Sequence, residues 1–543
     1  MKSFRSCCAS LLRSMHPFGG RIAVICVMGA VQVSLGLFCV VMTERVVNIA
    51  TGTTEAGLTE NILILVGATV LSNIIARFGT YLQKLLAVLY RNNRRMSLFQ
   101  KVMESYWHGK EARHSGDTVN RLIEDVNITS SFVSSGIPAS FIASFRFIIA
   151  AAYLFARQPG LAWLILFIMP AAILVGKLFS RKMRRMNGEI RVSESAVHQH
   201  IQESIQHRML LKSMSDSSVA DDRMQELQED VRLLSLPKLR YQTLYSFFIK
   251  AGFSVGYLVV FIWAVLGVRD GTVTYGLLVA LLQLVSQIQD PVYIISEQYG
   301  MFISAISSED RLMDIDALSG EPWQQPVMLS GAPGVRVENV TFRYDGSEIN
   351  ILEGFSHDFT PGSITAIVGT TGRGKSTLSR LILSLLRPSS GTITLYDDSG
   401  SYKSDFSTRC NFMYVPQGNS LLSGSIRDNL LIANPDATDD EMKDALHVAD
   451  ADFVLDLPDG LDSVCAETGG GLSEGQAQRI AIARALLRPG GVLIMDEASS
   501  SLDSVTERKI MERLYERCHG KKTVIFITHR EAMLEFADAC IGL

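Results

Sequence analysis

Apolar residues are unevenly spread along this chain. Up to about residue 306, long apolar runs alternate with basic stretches. After Trp323-Gln324-Gln325-Pro326 the pattern changes to the short strands, turns and helices of a soluble α/β domain. The break over 307–334 holds Pro322, Pro326, Gly331, Pro333 and Gly334 and reads as a linker. A helix needs about 20 apolar residues to cross the hydrocarbon core. Runs at roughly 21–43, 60–89, 132–156, 160–179, 243–268 and 274–304 meet that need, and buried helices of a soluble domain rarely recur six times. Two further segments, 90–131 and 180–242, are helical in pattern and too long for turns. They predict membrane helices that continue into water, each presenting a tip. His114-Ser115-Gly116-Asp117 breaks the first, and Gln206-His207-Arg208 lies near the middle of the second.

The predicted architecture is therefore multi-domain. An all-α membrane domain with six helices fills about 1–315, and an α/β domain fills about 330–543. The length of 543 residues, 47% apolar content and mean hydropathy of +0.20 agree with that division. A net charge of −4 gives no support for a nucleic-acid partner. The eight cysteines (7, 8, 26, 39, 410, 465, 518 and 540) show no metal spacing and read as free thiols. Lys2, Arg5 and Arg13 precede the first apolar run as in a signal peptide, but the run is long and no cleavage site follows cleanly. It reads as a retained first span. Arg91, Arg94, Arg95 and Lys101 follow span two, and Arg181, Lys182, Arg184 and Arg185 follow span four. The opposite loops carry only Arg45, Arg157 and Arg269. This bias predicts a multi-pass membrane protein with both termini and the α/β domain in the cytoplasm. Arg77, Arg146 and Lys250 fall inside spans, where a charge costs on the order of 2.5–3.5 kcal/mol. Substrate contact and snorkelling or structural pairing are equally good readings of them.

Candidate chemistry lies in the second half. Gly369-Thr370-Thr371-Gly372-Arg373-Gly374-Lys375-Ser376-Thr377 fits the phosphate-cradling P-loop. Ser363–Val368 before it reads as a buried strand, and Leu378, Leu381, Ile382 and Leu385 after it recur at helical spacing. A strand, a glycine loop and a helix N-terminus form an anion site, with Lys375 for the β- and γ-phosphates and Ser376 for Mg2+. Val492-Leu493-Ile494-Met495-Asp496 is an apolar strand ending in a carboxylate suited to hold the metal. Glu497 follows, placed to polarise water for attack on the γ-phosphate.

Leu472-Ser473-Glu474-Gly475-Gln476, with Gln478-Arg479, resembles the LSGGQ signature of ATP-binding cassette (ABC) proteins. The resemblance continues in family order. Tyr344 matches the aromatic that stacks on adenine, and Gln417 in Val415-Pro416-Gln417 the glutamine that senses Mg2+. Ser423–Leu430 matches the exporter segment that follows, and Glu467 the exporter X-loop glutamate. Ser500-Ser501-Leu502-Asp503 matches the D-loop, and His529 the switch histidine that contacts the γ-phosphate. More loosely, Ser115-Gly116-Asp117 with Arg121-Leu122 and Asp125-Val126, and Glu203-Ser204-Ile205 with Leu211-Lys212, resemble the exporters' intracellular loops.

The resemblance implies an ATP-driven exporter in which this chain is one half. ATP would bind Tyr344, Gly369–Thr377 and, across a dimer, Ser473, Gly475, Gln476 and Asp503 of the other half. Glu497, His529 and Gln417 would carry hydrolysis, with Mg2+ on Ser376, Gln417 and Asp496. Loops near 113–121 and 204–213 would transmit the motion. The partner would be a second copy, within a lipid bilayer, and the substrate an unidentified small molecule, lipid or peptide. A heterodimer half, an importer built on the exporter fold, and a soluble ABC ATPase are the rivals, the last opposed by the six spans. Two departures stand out. Glu474 replaces the usual first glycine of the signature pair, and the chain stops at Ile541-Gly542-Leu543, where the family adds a strand, a turn and a helix.

Overall fold

The computed structural model describes residues 3–107, 115–213, 218–344, 347–370, 372–465 and 471–543, except the side chains at 164–181, 184, 249 and 531–532. Two compact units result. One holds Met1–Leu98 with Asn120–Asp314, and the other Phe99–Val119 with Ile315–Leu543.

The first unit is helical. It contains α1 (Phe4–Met15), α2 (Gly19–Ala50) and α3 (Leu58–Glu104), whose last residues belong to the second unit. After α4 (Ser115–Asn120), which up to Val119 belongs to the second unit, the chain runs through α5 (Val126–Ser131) into α6 (Ile137–Arg157), with π-helical turns at Arg121–Asp125 and Phe132–Gly136. Then come α7 (Pro159–Gln206), α8 (Arg208–Ser213), α9 (Ser218–Arg269) and α10 (Tyr275–Asp316). Among the described residues, five helical stretches are long and apolar enough to cross a membrane: Phe4–Ala50, Leu58–Glu104, Gly116–Arg157, Ser218–Arg269 and Tyr275–Asp316. The remaining expected span, 160–179, runs along α7, and most of its side chains lie outside the described residues. At 1.5 Å per residue α3 and α7 are about 70 Å long, against about 30 Å of hydrocarbon. Both therefore outrun any bilayer, as the helical pattern of the polar segments predicts. α7 stops at the expected break, with His207 as its C-cap. Leu63, Ile74 and Phe78 of α3 are exposed, a face suited to lipid or to another protein rather than to water. Arg77 and Lys250 are exposed on their helices and Arg146 is half-buried.

Polar ties hold this unit's helices together. The buried Glu309 of α10 accepts from Ser10 of α1 at 2.7 Å and from Arg94 of α3 at 3.2 Å. Asp125 is buried and paired with Arg311, and Arg121 pairs with Asp314 at 3.2 Å. The loosely matched loop residues Arg121 and Asp125 thus anchor their segment to α10. For the buried Arg94–Glu309 pair, removing one partner is far costlier than the pair's net worth.

In the second unit, β1 (Gly334–Phe342), β2 (Leu352–Phe359), β4 (Ser390–Asp397) and β5 (Gly400–Lys403) form an antiparallel sheet in the order β2-β1-β4-β5. A parallel sheet runs β11-β3-β10-β9-β6, from β3 (Ile364–Val368), β6 (Phe412–Val415), β9 (Val492–Asp496), β10 (Thr523–Ile527) and β11 (Ala539–Gly542). A short pair joins β7 (Gly424–Ser425) to β8 (Val464–Cys465). β9 and β10 are buried at every residue, which is why they read as unbroken apolar runs. Helices α11 (Lys375–Ile382), α12 (Ile426–Leu431), α13 (Asp439–Val448), α14 (Glu474–Leu487) and α15 (Ser504–Cys518) complete the unit. One apolar core lies between the two sheets and under α11; the other joins the parallel sheet to α13, α14 and α15.

Candidate nucleotide site

The register of the parallel sheet assembles the site. Ile527 lies opposite both Ile367 and Asp496, and Val415 opposite Met495. The residues just beyond these carboxyl ends are therefore neighbours: the P-loop after β3, His529 after β10, Glu497 after β9 and Gln417 after β6. Crevices at such strand ends are where open α/β sheets bind ligands.

Gly374 caps α11 with a φ of 91°. A Cβ there would stand 2.8 Å from Ile351 Cγ2, so glycine is required twice over. Lys375 is buried and donates to Gly369 O at 2.7 Å and Thr370 O at 3.1 Å, bending back over its own loop. Its Nζ is 3.1 Å from His529 Nε2, which lies 2.9 Å from Glu497 Oε1. Gln417 Nε2 donates to Glu497 Oε2 at 2.7 Å. Ser376 Oγ donates to Asp496 Oδ1 at 2.9 Å. Thus Lys375, His529, Glu497 and Gln417 form one polar chain, with the Ser376–Asp496 pair beside it. Glu497 has a φ of +48°, a left-handed conformation that non-glycine residues seldom adopt and that costs on the order of 1–3 kcal/mol. Its N–H donates to Ile527 O at 3.2 Å, and its carboxylate is held from both sides. Burial pushes the Asp496 carboxyl above its ordinary range, while Ser376 and the Arg380 charge act in the opposite sense. Burial, helped by Asp496, pushes the nearby Tyr414 phenol up to about 12.

Tyr344 is half-buried, with its hydroxyl 3.2 Å from Thr377 Oγ1. Arg373 is exposed on the P-loop, whose Thr371 lies outside the described residues, as does Glu467. The signature residues form a second group. Ser473 caps α14: its Oγ accepts from Gln476 N–H at 3.2 Å, and Gln476 Oε1 accepts from Ser473 N–H at 2.8 Å. Glu474 is exposed, whereas a Cβ on Gly475 would stand 3.0 Å from Ser501 O in the D-loop. Gln478 is buried and accepts from Ser501 Oγ at 2.6 Å. Arg530 donates to Leu502 O at 3.1 Å and pairs with the buried Glu507. Asp503 caps α15, accepting from Val505 and Thr506 N–H groups at 3.1 and 3.0 Å. The Thr506 contact above all holds its carboxyl below the usual carboxylate range. The clamp by Gln478 and Arg530 and the charge of Arg380 near Asp496 were not read from sequence as site features. Gln478 sits in the signature stretch, but nothing in its spacing points at Ser501.

A phosphate-cradling loop, an acidic strand end and a poised glutamate on a parallel sheet, joined to long apolar helices, define a membrane-bound P-loop ATPase. Comparison with known proteins narrows this. Residues 22–292 match the ABC transporter transmembrane region and residues 352–500 the ABC transporter model. The chain belongs to the ABC transporter family, as an exporter-type, multi-pass, ATP-hydrolysing transporter. It is 28% identical over 447 residues to a fatty acid ABC transporter ATP-binding/permease protein of Mycobacterium bovis, covering 80% of this chain and 68% of that one. It is 27% identical over 455 residues to an ATP-dependent lipid A-core flippase of Syntrophus aciditrophicus, covering 83% and 75%. The solved structure of a bacterial Atm1-family ABC exporter with ATP bound shares the fold, with a TM-score of 0.79 at 20% identity over 97% of this chain and 93% of that one.

Proposed function

We propose that two copies of this chain form a homodimer that sandwiches two ATP molecules and moves a substrate outward across the cell's inner membrane, with the cassettes and termini in the cytoplasm. The membrane domain is taken as residues 1–315 and the cassette as 330–543. The observation that carries the reading is the grouping of side chains. Lys375, His529, Glu497, Gln417, Ser376 and Asp496 gather at one crevice, while Ser473, Gly475 and Gln476 surround a separate helix N-terminus. In the proposed sandwich that second group meets the γ-phosphate held by the other copy's P-loop, with Asp503 nearby. Tyr344 stacks on adenine, and Gly369 to Thr377 wrap the phosphates.

Ser376 Oγ and Asp496 Oδ1 are neighbouring hard oxygen donors, and the Gln417 amide oxygen is a third, a set that suits Mg2+. Mg2+ held by these oxygens would neutralise charge on the β- and γ-phosphates. Glu497 orients the attacking water and takes up its proton. His529 and Lys375 stabilise charge on the γ-phosphate. Closing the cassettes turns the cavity outward, and hydrolysis resets it. The segments around 113–121 and 204–213, with Glu467, carry the motion.

Glu497→Gln removes the group that polarises water but keeps its shape. In nanodiscs this variant is expected to bind ATP like the parent and hydrolyse it at least about 100-fold more slowly. An unchanged rate removes Glu497 from the reaction. Parent ATPase measured against a lipid, drug and peptide panel identifies the substrate class by stimulation.

A further inference from the structure

The tip of α3 and the chain leaving α10 are knotted together in the second unit. Tyr106 N–H donates to Ser319 O at 3.2 Å, and Glu321 N–H to Glu104 O at 2.8 Å, so Ser105 and Gly320 form an antiparallel bridge. Lys101 Nζ donates to Asp316 O at 2.7 Å. From this knot three side chains reach α11 and the turn after it. Glu321 holds Arg409 by two 2.8 Å bonds, and Arg409 donates to Leu383 O and Ser384 O. The Tyr106 ring lies 4.1 Å from the Arg387 guanidinium. Trp107 is half-buried against the core of the cassette sheets, with the Arg380 guanidinium 5.0 Å from its ring centroid. Arg380 is on the same helix as Lys375 and Ser376, and its charge acts on Asp496.

We propose that Trp107 and Arg380 are a positioning pair for ATP hydrolysis. The ring, carried beyond the end of a membrane helix, fixes the guanidinium on α11 about one turn beyond Ser376, whose hydroxyl donates to Asp496 Oδ1 at 2.9 Å, so turnover depends on where the tip of α3 lies. The inference rests on the hydrolytic reading of Asp496 and Glu497. A flat aromatic face attracts a guanidinium through its quadrupole; an aliphatic side chain of similar bulk does not. A packing role alone needs only bulk. A positioning role needs the ring and the charge together.

The test uses the full chain in nanodiscs, with kcat and KM for ATP measured at saturating Mg2+. Trp107→Leu and Arg380→Met are each expected to lower kcat about fivefold while KM stays within about twofold. Trp107→Phe and Arg380→Lys, which keep ring and charge, restore most of the rate. The double variant Trp107→Leu/Arg380→Met is no slower than the slower single, because both remove one interaction. Parental kcat in Trp107→Leu, a Trp107→Phe as slow as Trp107→Leu, or multiplying losses in the double variant each overturns the proposal. If Trp107→Leu does not fold, Arg380→Met against Arg380→Lys decides alone, equal rates overturning the proposal. Parent activity no higher than that of Glu497→Gln overturns the hydrolytic reading beneath it instead.

Discussion

Glu474 and Gly475 are adjacent in the chain and sit in opposite surroundings. Gly475 faces the D-loop backbone, where a methyl group would stand 3.0 Å from Ser501 O. Glu474 is exposed at the first turn of α14, where its carboxylate suits the helix dipole. The departure from the family's glycine pair therefore falls at the position that this chain's own packing leaves open. Gly475→Ala is expected to push the D-loop aside and lower ATPase several-fold, with a lower unfolding temperature. Glu474→Gly costs the dipole interaction, about 0.3–1 kcal/mol, and some backbone entropy at the start of α14, and removes a like charge from the phosphate side of the proposed sandwich. Its ATPase is expected to equal or exceed the parent's. Kinetics and thermal unfolding of the two variants check this; a Glu474→Gly variant as impaired as Gly475→Ala contradicts it.

At the scale of elements, α14 and α15 show how caps place chemistry. Ser473 and Asp503 each end a loop and begin a helix, and each is also a proposed ATP contact. The α15 cap is ionisable. The Asp503 carboxyl is held below its ordinary value, so its contribution is complete above the unfolded value of about 3.9 and fades as pH falls through the folded one. Asp503→Asn keeps a capping oxygen without the titration. Hydrogen exchange over Ser504–Cys518 is expected to speed up more in the parent than in the variant as pH falls from about 3.9 through the lower folded value, after correction for intrinsic rates. Equal changes would show that Asp503 does not govern the cap.

The same elements show what the sequence reveals. Strand, loop and helix around Lys375 are local in sequence, so the P-loop and the Val492–Asp496 strand can be read directly. The break at His207 is legible because the helix stops there. The run from Asp117 to Arg157 is helical as its pattern predicts, but the π-helical turns that carry it into the span leave no mark in the sequence. The pairing of Trp107 with Arg380, and of Gln478 with Ser501, depends on residues far apart in sequence and leaves no periodic trace. The antiparallel order β2-β1-β4-β5 is equally silent, because short strands of similar polarity can pair in several ways.

At the scale of the whole molecule, the central claim is that each ATP site is shared by two copies. The claim predicts complementation between two inactive variants. Lys375→Ala disables the P-loop but leaves the signature intact. Gly475→Asp does the reverse, placing a charged side chain against Ser501 and the phosphate side. Each homodimer is expected to be inactive. A heterodimer of the two, isolated with different tags and reconstituted in nanodiscs, contains one site built from the intact P-loop of one copy and the intact signature of the other. The account predicts that the heterodimer recovers a substantial fraction of parental ATPase, up to about half if the sites act independently. A heterodimer as inactive as either homodimer would contradict the shared site.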